Sequence, residues 1–175
     1  MTDSFPAFRI GHGFDLHRLE PPPPEGGGRP MVIGGVRFNH EFGVVSHSDG
    51  DALYHAVTDA LLGAIAEPDI GRLFPDTDPA FEALDSIVFL EEAVHRVELA
   101  GYRVLNLDTT VVLQRPKLGD ARDEIRKNLA AALGIPVGCV NVKATTHEKV
   151  DAIGEGRAIA AHAVVILQHR EHLHA

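Results

Sequence analysis

Apolar residues in the middle of the chain recur at the spacing of an amphipathic helix. The members of this apolar face are Leu53, Ala56, Val57, Ala60, Leu61 and Ala64. Asp51, His55 and Asp59 recur every four residues and fall on the opposite face. A polar turn over residues 47–51 can cap this helix, and the Pro-Asp pair at residues 68–69 ends it. The pattern therefore predicts a helix with one ionisable face, for which an ordinary solvated surface is the alternative interpretation.

Alternating or continuous apolar stretches predict strands in the rest of the chain. They cover residues 7–14, 31–33, 36–38, 104–113, 140–144 and 159–168. Gly34-Gly35 indicates a hairpin turn between two of them, and two more helices are expected. One helix begins at Asp85 or Ser86 and ends near Gly101, and the other covers residues 120–133. Because the elements interleave without a regular βαβ rhythm, we predict an α+β fold, a mixed β-sheet with helices packed on one face.

The length of 175 residues favours a single domain over residues 1–175. We expect a mobile Pro/Gly loop at residues 21–28 and a frayed tail at residues 169–175. The net charge of -9 argues against a nucleic-acid partner, and no apolar run is long enough for a membrane span. The start of the chain does not resemble a signal peptide, and the single cysteine, Cys139, is interpreted as a small core residue. We therefore expect a cytoplasmic protein.

Asp15, His17 and His55 form a candidate metal site. Asp15 and His17 are predicted to lie in a loop after the first strand, and His55 lies on the central helix. Two imidazoles and one carboxylate suit Zn²⁺, and three protein ligands leave a fourth position open, as in catalytic sites. Since the chain has 11 histidines, an accidental Asp-x-His pair is the alternative.

Two polar segments are weaker candidates for ligand binding. The residues from Thr145 to Lys149 offer hydroxyl, carboxylate and ammonium groups that can hold phosphate and a Mg²⁺-type ion. From the residues alone, a polar loop with a surface ion pair is the slightly favoured interpretation. The segment from Gln114 to Gly119 contains a proline and can present backbone groups to a small planar ligand.

Four motifs together resemble the 2-C-methyl-D-erythritol 2,4-cyclodiphosphate synthase family. They are GHGFDLH at Gly11–His17, HSDGDALYHAVTDALLGA at His47–Ala64, DIGRLFPDTDP at Asp69–Pro79 and NVKATTHEK at Asn141–Lys149. The likeness covers nearly the whole chain, from Arg9 to about Leu167, and the first three motifs are long and specific. The Pro/Gly segment is similar to a family loop that has been lengthened locally.

The resemblance implies an enzyme of the non-mevalonate isoprenoid pathway. It would cyclise 4-diphosphocytidyl-2-C-methyl-D-erythritol 2-phosphate to 2-C-methyl-D-erythritol 2,4-cyclodiphosphate with release of CMP, as a phosphorus–oxygen lyase. The implied cofactors are Zn²⁺ and a second divalent ion, Mg²⁺ or Mn²⁺. The implied assembly is a homotrimer whose strands surround a central core and whose active sites lie between subunits.

The resemblance also implies the roles of individual residues. Asp15, His17 and His55 match the zinc ligands, Glu148 matches the ligand of the second ion, and His47 and Thr146 match the catalytic positions. The expected substrate-binding residues are Asp15, His17, His47, Ser48, Asp69, Ile70, Gly71, Phe74, Pro75, Asp76, Thr77, Asp78, Leu113, Gln114, Arg115, Pro116, Lys117, Leu118, Gly119, Thr145, Thr146, His147 and Glu148. Of these, residues 69–71 would contact ribose, residues 74–78 the methylerythritol moiety and residues 113–119 cytosine.

One run departs from the family pattern. Some members carry Gly-Arg-Gly-Glu-Gly near the trimer axis, where the arginine holds an isoprenoid diphosphate. Here the run is Gly154-Glu155-Gly156-Arg157-Ala158, so the acidic and basic positions are exchanged. We expect that His162 faces Glu155 and that isoprenoid diphosphates do not bind by this route.

Two other functions use the same residues. A zinc phosphohydrolase would activate water at the open zinc position and would release linear phosphate. A nucleotide-binding or metal-storage protein would bind CDP without releasing CMP. Neither explains the three long motifs together.

Overall fold

The structure is a computed structural model and describes residues 6–75 and 82–172. The strands are β1 Phe8–Glu20, β2 Val32–Ile33, β3 Val36–Arg37, β4 Gly43–Val44, β5 Tyr102–Val112, β6 Val140–Thr145 and β7 Ala158–His169. The helices are α1 Ala52–Ala64, α2 Ile70–Leu73, α3 Ile87–Leu99, α4 Ala121–Leu133 and α5 Asp151–Gly154. Short 3₁₀ turns cover Val137–Cys139 and Arg170–His172.

Five strands form one mixed sheet in the order β4-β1-β7-β5-β6. The β5–β6 pair is parallel, and the other neighbours in this sheet are antiparallel. The strands β2 and β3 form a separate hairpin around Gly34-Gly35, both of which have positive φ. Positive φ at both central residues is what a tight hairpin turn of this kind requires. The predicted mixed sheet and hairpin are therefore confirmed.

The helix α1 covers β1 and β7, and two glycines allow its close approach. A Cβ added at Gly11 would lie 1.8 Å from the carbonyl oxygen of Ala60, and one at Gly13 would lie 1.9 Å from that of Ala56. Side chains alternate along a strand, so residues 11, 13, 15 and 17 of β1 face the same helix. The two glycines thus bring the backbone of α1 onto the strand that carries Asp15 and His17.

The other face of β1 is apolar and exposed in the single chain. Phe8, Ile10, Phe14 and Leu16 are between 48% and 71% exposed. His12 lies among them, with its Nε2 atom 3.4 Å from Nδ1 of His162 on β7. Large exposed apolar patches of this kind mark surfaces that contact another molecule.

The ends of two strands differ from the sequence-based expectations. Since β1 continues to Glu20, Asp15 and His17 lie within a strand, and their prediction as loop residues is wrong. His169 ends β7 and is only 6% exposed, so the frayed tail does not begin at this residue. Residues 173–175 lie outside the described residues.

The Pro/Gly segment at residues 21–28 forms a turn between β1 and β2. Its base is closed by the backbone N–H of Gly28, which donates to the carbonyl oxygen of Pro21 at 2.9 Å. Gly27 donates its N–H to the side chain of Glu20 at 2.9 Å. The mobility of this segment stays a prediction. Cys139 is half-buried in the 3₁₀ turn before β6, so its prediction as a core residue is wrong.

The helix α1 is buried nearly all round, and 11 of its 13 residues are buried. Its apolar side lies on the sheet, and α3 covers much of the remaining surface. The alternative of a solvated ionisable face is therefore wrong, because Asp51 and His55 are both enclosed by neighbouring elements.

Candidate metal centre

Asp15, His17 and His55 meet where α1 crosses β1. The side chains of Asp15 and His17 point toward the helix because they are two residues apart on an extended strand. His55 belongs to the first turns of α1, next to Ala56, which lies over Gly13. The side-chain alternation of β1 places Asp15 and His17 on one face. The two glycines let α1 approach that face closely, which brings His55 to them.

The donor atoms of these side chains lie within a few ångströms of one another. Asp15 Oδ2 is 2.8 Å from His17 Nε2 and 3.2 Å from His55 Nδ1. The two imidazole nitrogens are 3.1 Å apart. Among the residues that the structure describes, no other group of three His, Cys, Asp or Glu side chains comes as close together. The geometry confirms that this Asp-His-His set can hold a metal ion.

The electrostatics of the cluster favour an ionised carboxylate facing imidazoles. Burial raises the pKa of Asp15, but the hydrogen bonds and charges of His17 and His55 outweigh it and hold the pKa well below its ordinary value. Burial lowers the pKa of His55, but the Asp15 hydrogen bond and the nearby carboxylates leave it above its ordinary value.

The second ring nitrogen of His55 faces two hydroxyl groups. His55 Nε2 is 2.8 Å from Ser86 Oγ and 3.2 Å from Ser48 Oγ. Ser86 in turn donates its hydroxyl proton to Asp49 Oδ1. Phe89 covers the ring, with the two ring centroids 5.9 Å apart. The sequence indicates Asp85 or Ser86 as the start of a helix and carries no signal of the contact between Ser86 and His55.

Two aspartates of the predicted ionisable helix face stabilise the fold. Asp51 is fully buried and accepts four backbone hydrogen bonds, two from the start of α1 and two from the β2–β3 turn. Asp59 accepts a hydrogen bond of 2.8 Å from the backbone N–H of Ile70, which attaches α2 to α1. Only His55 of this face therefore belongs to the metal centre.

A cavity of about 250 Å³ opens beside His17 and His55. Several of the predicted substrate-binding residues line it, together with residues that the sequence analysis did not single out. The lining consists of His17, Val45, Ser46, His47, Ser48, His55, Ile70, Gly71, Phe74 and Phe89. Asp69 caps α2 by accepting the N–H of Arg72 at 3.0 Å. The predictions for Asp76, Thr77 and Asp78 fall outside the described residues.

A larger cavity of about 580 Å³ lies between the β2–β3 hairpin and the helices α3 and α4. Asp49, Tyr54 and Asn128 are among its lining residues, but none of the three metal-ligand candidates borders it. Because size alone does not make a site, we assign the chemistry to the smaller cavity, which the donor atoms reach.

The remaining predicted site residues lie near the β6 edge of the sheet. The backbone N–H of Leu113 donates to the carbonyl oxygen of Thr145 at 3.0 Å, so the loop of residues 113–119 starts beside the end of β6. Thr146 donates its hydroxyl to Glu148 Oε1 at 2.8 Å. His147 Nδ1 is 2.8 Å from Asp151 Oδ2. Glu148 is exposed.

These two groups of residues do not meet within one chain. Asp15 pairs with Ala161, Ala161 with Val111, and Val111 with Ala144, so Asp15 and the end of β6 lie in one row across the sheet. Three strand spacings separate them, which corresponds to about 14 Å. The predicted site residues therefore form two separate groups in one chain, one at β1 and α1 and one at β5 and β6.

The glycine run at residues 154–158 forms a local ion pair. Arg157 donates to Glu155 Oε2 from Nε at 2.8 Å, and both side chains are largely exposed. His162 contacts His12 and Phe14. The expected pairing of His162 with Glu155 is therefore wrong, because Glu155 has its partner within its own loop.

The fold and the site define an α+β protein with an Asp-His-His set that can hold a metal ion beside a cavity. The sequence model of the YgbB family matches residues 8–168. None of the helices in the described ranges has the length and apolar content that a membrane crossing requires.

Named relatives identify the family further. The chloroplastic 2-C-methyl-D-erythritol 2,4-cyclodiphosphate synthase of Catharanthus roseus is 53% identical over 164 residues, which covers 94% of this chain and 67% of the relative. The synthase of Chromobacterium violaceum is 51% identical over 160 residues, covering 91% of this chain and 98% of the relative. A solved structure of IspF from Plasmodium falciparum in complex with CDP matches with a TM-score of 0.82 at 36% identity, covering 95% of this chain and 99% of that one. The chain belongs to the YgbB family, the family of these synthases, which confirms the resemblance.

Proposed function

We propose that this protein converts 4-diphosphocytidyl-2-C-methyl-D-erythritol 2-phosphate to 2-C-methyl-D-erythritol 2,4-cyclodiphosphate and CMP. The observation that carries the proposal is the convergence of Asp15, His17 and His55 beside a cavity lined by the matching family motifs. Membership of a family whose named relatives are such synthases supports it. The reaction class is that of a phosphorus–oxygen lyase in the non-mevalonate isoprenoid pathway.

The donor set at β1 and α1 fits Zn²⁺. Two imidazole nitrogens and one carboxylate oxygen are three of the four ligands that a catalytic zinc site uses. Glu148, exposed at the end of β6 next to Thr146, offers a carboxylate to Mg²⁺ or Mn²⁺. When bound, these ions supply positive charge that an acidic protein lacks and neutralise the phosphates of the substrate.

The chemistry requires positioning and not a protein nucleophile. An oxygen of the substrate's 2-phosphate attacks the β-phosphorus, and the bond to the bridging oxygen breaks. CMP then leaves with the electron pair of that bond, and the new bond closes the cyclic diphosphate. His47 and Thr146 donate hydrogen bonds to the phosphates as their charge shifts. Holding the two phosphates close in a fixed orientation accounts for much of the acceleration.

We assign substrate contacts to both groups of residues and interpret each group as one half of an active site, a half-site. At the metal centre, Ser48 contacts phosphate, residues 69–71 contact ribose, and residues 74–78 contact the methylerythritol moiety. At the end of β5 and β6, residues 113–119 receive cytosine through backbone groups. Thr145 and the ammonium group of Lys117 lie close to the diphosphate there. The amide oxygen of the Gln114 side chain is buried and has no hydrogen-bond partner among the described residues, which fits a site completed by a ligand or a neighbouring chain.

We propose a homotrimer with active sites between subunits, and this division of the site residues supports it. The two half-sites lie about 14 Å apart in one chain, too far for a single pair of neighbouring phosphates to contact both sets of ligands. The exposed apolar face of β1 gives three copies a common core to bury. One subunit then supplies the metal centre and the next supplies the loop of residues 113–119. Cross-linking and light scattering test the trimer, and a monomer with full activity would contradict it.

The reaction is tested by ³¹P NMR of the chain incubated with the substrate, Zn²⁺ and Mg²⁺. We expect resonances of a cyclic diphosphate together with CMP, and a His55→Ala variant serves as the matched control. Linear phosphate as the product would indicate a zinc phosphohydrolase. Binding of CDP without release of CMP would indicate a nucleotide-binding protein.

The cytoplasm is the compartment that we propose. A single cysteine fits a reducing environment. The relative from Catharanthus roseus is chloroplastic, so targeting of a green fluorescent fusion is the measurement that decides between compartments.

A further inference from the structure

Ser86 occupies the N-cap position of α3 but does not cap the helix. A serine at this position normally accepts a hydrogen bond from a backbone N–H of the first turn, which stabilises the helix. The Ser86 side chain makes no such bond, and its backbone is helical, with φ of -63° and ψ of -14°. The side chain is fully buried and points away from α3 toward α1. Its hydroxyl group therefore forms hydrogen bonds outside α3.

The hydroxyl group connects Asp49 to His55. A carboxylate only accepts hydrogen bonds, so the Ser86 O–H donates to Asp49 Oδ1. The Ser86 oxygen then accepts from the other side, and His55 Nε2, at 2.8 Å, is the atom that donates to it. With one proton on Nε2, Nδ1 is the ring atom that faces Asp15 and His17, and a metal bound there would take its lone pair in place of the proton that Asp15 accepts.

Asp49 is itself held in place by the backbone. Its N–H donates to the carbonyl oxygen of Leu84 at 3.1 Å, and its Oδ1 accepts the N–H of Asp51 at 3.1 Å. The carboxylate is thus attached to the segments before both α1 and α3. This gives the hydroxyl of Ser86 a fixed acceptor and therefore a fixed orientation.

Ser48 is the other hydroxyl near His55, but it is less suited to this task. Its oxygen lies 3.2 Å from His55 Nε2, which is longer than the Ser86 contact. It also accepts the backbone N–H of Gly50 at 3.1 Å and lies 3.2 Å from Ser46 Oγ. Its hydrogen-bonding capacity is therefore shared among several partners.

We propose that Ser86 and Asp49 are positioning residues that orient the His55 ring and select the tautomer that binds the metal. This inference rests on the proposed metal site at Asp15, His17 and His55 and adds the groups that act through His55. Histidine ligands of metals characteristically donate their second ring N–H to such a partner, and the partner affects metal affinity. Here the partner of His55 is Ser86, the N-cap residue of α3, whose side chain makes no capping hydrogen bond.

The test measures the zinc Kd of the full chain by competition with a chelator at constant pH. The variants are Ser86→Ala, Asp49→Ala, their combination, and Thr58→Val as the matched control. Thr58 is fully buried on α1 and donates its hydroxyl to the carbonyl oxygen of Tyr54 at 2.8 Å, away from the metal centre. Its replacement removes a buried hydroxyl without affecting His55.

We expect Ser86→Ala to raise the zinc Kd by about 10- to 100-fold, and the control to leave it unchanged. If the two residues act as one chain of hydrogen bonds, the double variant is no worse than the more affected single variant. The absorption spectrum of the Co²⁺-loaded protein should change in Ser86→Ala and not in Thr58→Val, because only the former alters the ligand geometry. Asp49→Ala changes no residue of α3, so its zinc Kd is an independent measurement if Ser86→Ala lowers solubility.

Two results would overturn the inference in distinguishable ways. A zinc Kd within about threefold of the unaltered chain in both single variants would show that Ser86 and Asp49 do not position His55, while the proposal of a metal site would be unaffected. An unaltered chain that binds no zinc at all would overturn both the metal site and the positioning role of Ser86 and Asp49.

Discussion

Replacement of Asp51 by alanine should destabilise the protein strongly without altering the metal ligands. Asp51 Oδ1 accepts the N–H groups of Gly34, Leu53 and Tyr54 at 2.9, 3.1 and 3.1 Å, and Oδ2 accepts that of Gly35 at 2.7 Å. Loss of a helix cap typically costs about 1 kcal/mol, and each further hydrogen bond to a buried charged group costs about 1.5–3 kcal/mol. We therefore expect the free energy of unfolding to fall by about 3–5 kcal/mol, allowing for partial hydration of the freed donors.

The asparagine variant refines this prediction. Its amide oxygen can keep the three bonds of Oδ1, while its NH₂ group opposes the N–H of Gly35, so Asp51→Asn should lose about 1–3 kcal/mol. Asp59→Ala, on the same helix, removes a single backbone hydrogen bond and is expected to lose about 1 kcal/mol. Urea unfolding at a constant protein concentration measures all three, because subunit association also affects stability. A loss below about 1 kcal/mol for Asp51→Ala would refute the argument that these bonds join the hairpin to α1.

Four further predictions concern the site and its supports. His55→Ala should abolish zinc retention while the circular dichroism spectrum stays folded; full zinc content by metal analysis would contradict the assignment. Glu148→Gln should raise the Mg²⁺ concentration for half-maximal CMP release and leave the zinc content unchanged, and an unaltered titration curve counts against it. Gly13→Ala should cost more than about 2 kcal/mol because the new Cβ overlaps the carbonyl oxygen of Ala56, whereas Gly138→Ala, with nothing within 4 Å, should cost less than about 0.5 kcal/mol in urea unfolding. Farnesyl diphosphate should not bind in calorimetric titration, because the glycine run exchanges its acidic and basic positions; micromolar binding would show the exchange to be harmless.

Most of the helices, strands and turns can be predicted from local patterns in the sequence. Gly34-Gly35 indicated the hairpin, Gly134 marked the end of α4 with a positive φ of 63°, and the alternation after Val104 indicated β5. The three candidate metal ligands were also predictable, since an Asp-x-His pair and a helical histidine match a known donor set and family motifs. These inferences succeed because turn geometry, side-chain period and ligand chemistry depend on few neighbouring residues.

Other assignments failed because they depend on residues distant in the sequence. Asp51 and Asp59 recur with His55 every four residues, yet only His55 reaches the metal centre, because hairpin and loop backbone groups occupy the two carboxylates. Ser86 carries the sequence signal of a helix cap, and only the approach of α1 gives its hydroxyl a different partner. A residue's type and spacing state what it can bind, and the packing of other elements decides what it does bind.

The sequence by itself indicated the longer strands and helices along the chain, the α+β class, the donor set for a metal and the family, whereas β4, α2 and α5 were not predicted. The tertiary structure alone decided that Asp15 and His17 lie within a strand facing α1, where two glycines admit the helix backbone. It also decided that Glu148 follows β6, three strands across the sheet from the candidate metal ligands on β1, because strand order and register are properties of pairing and not of any single segment. That separation is the physical reason why the predicted site residues of one chain form two groups.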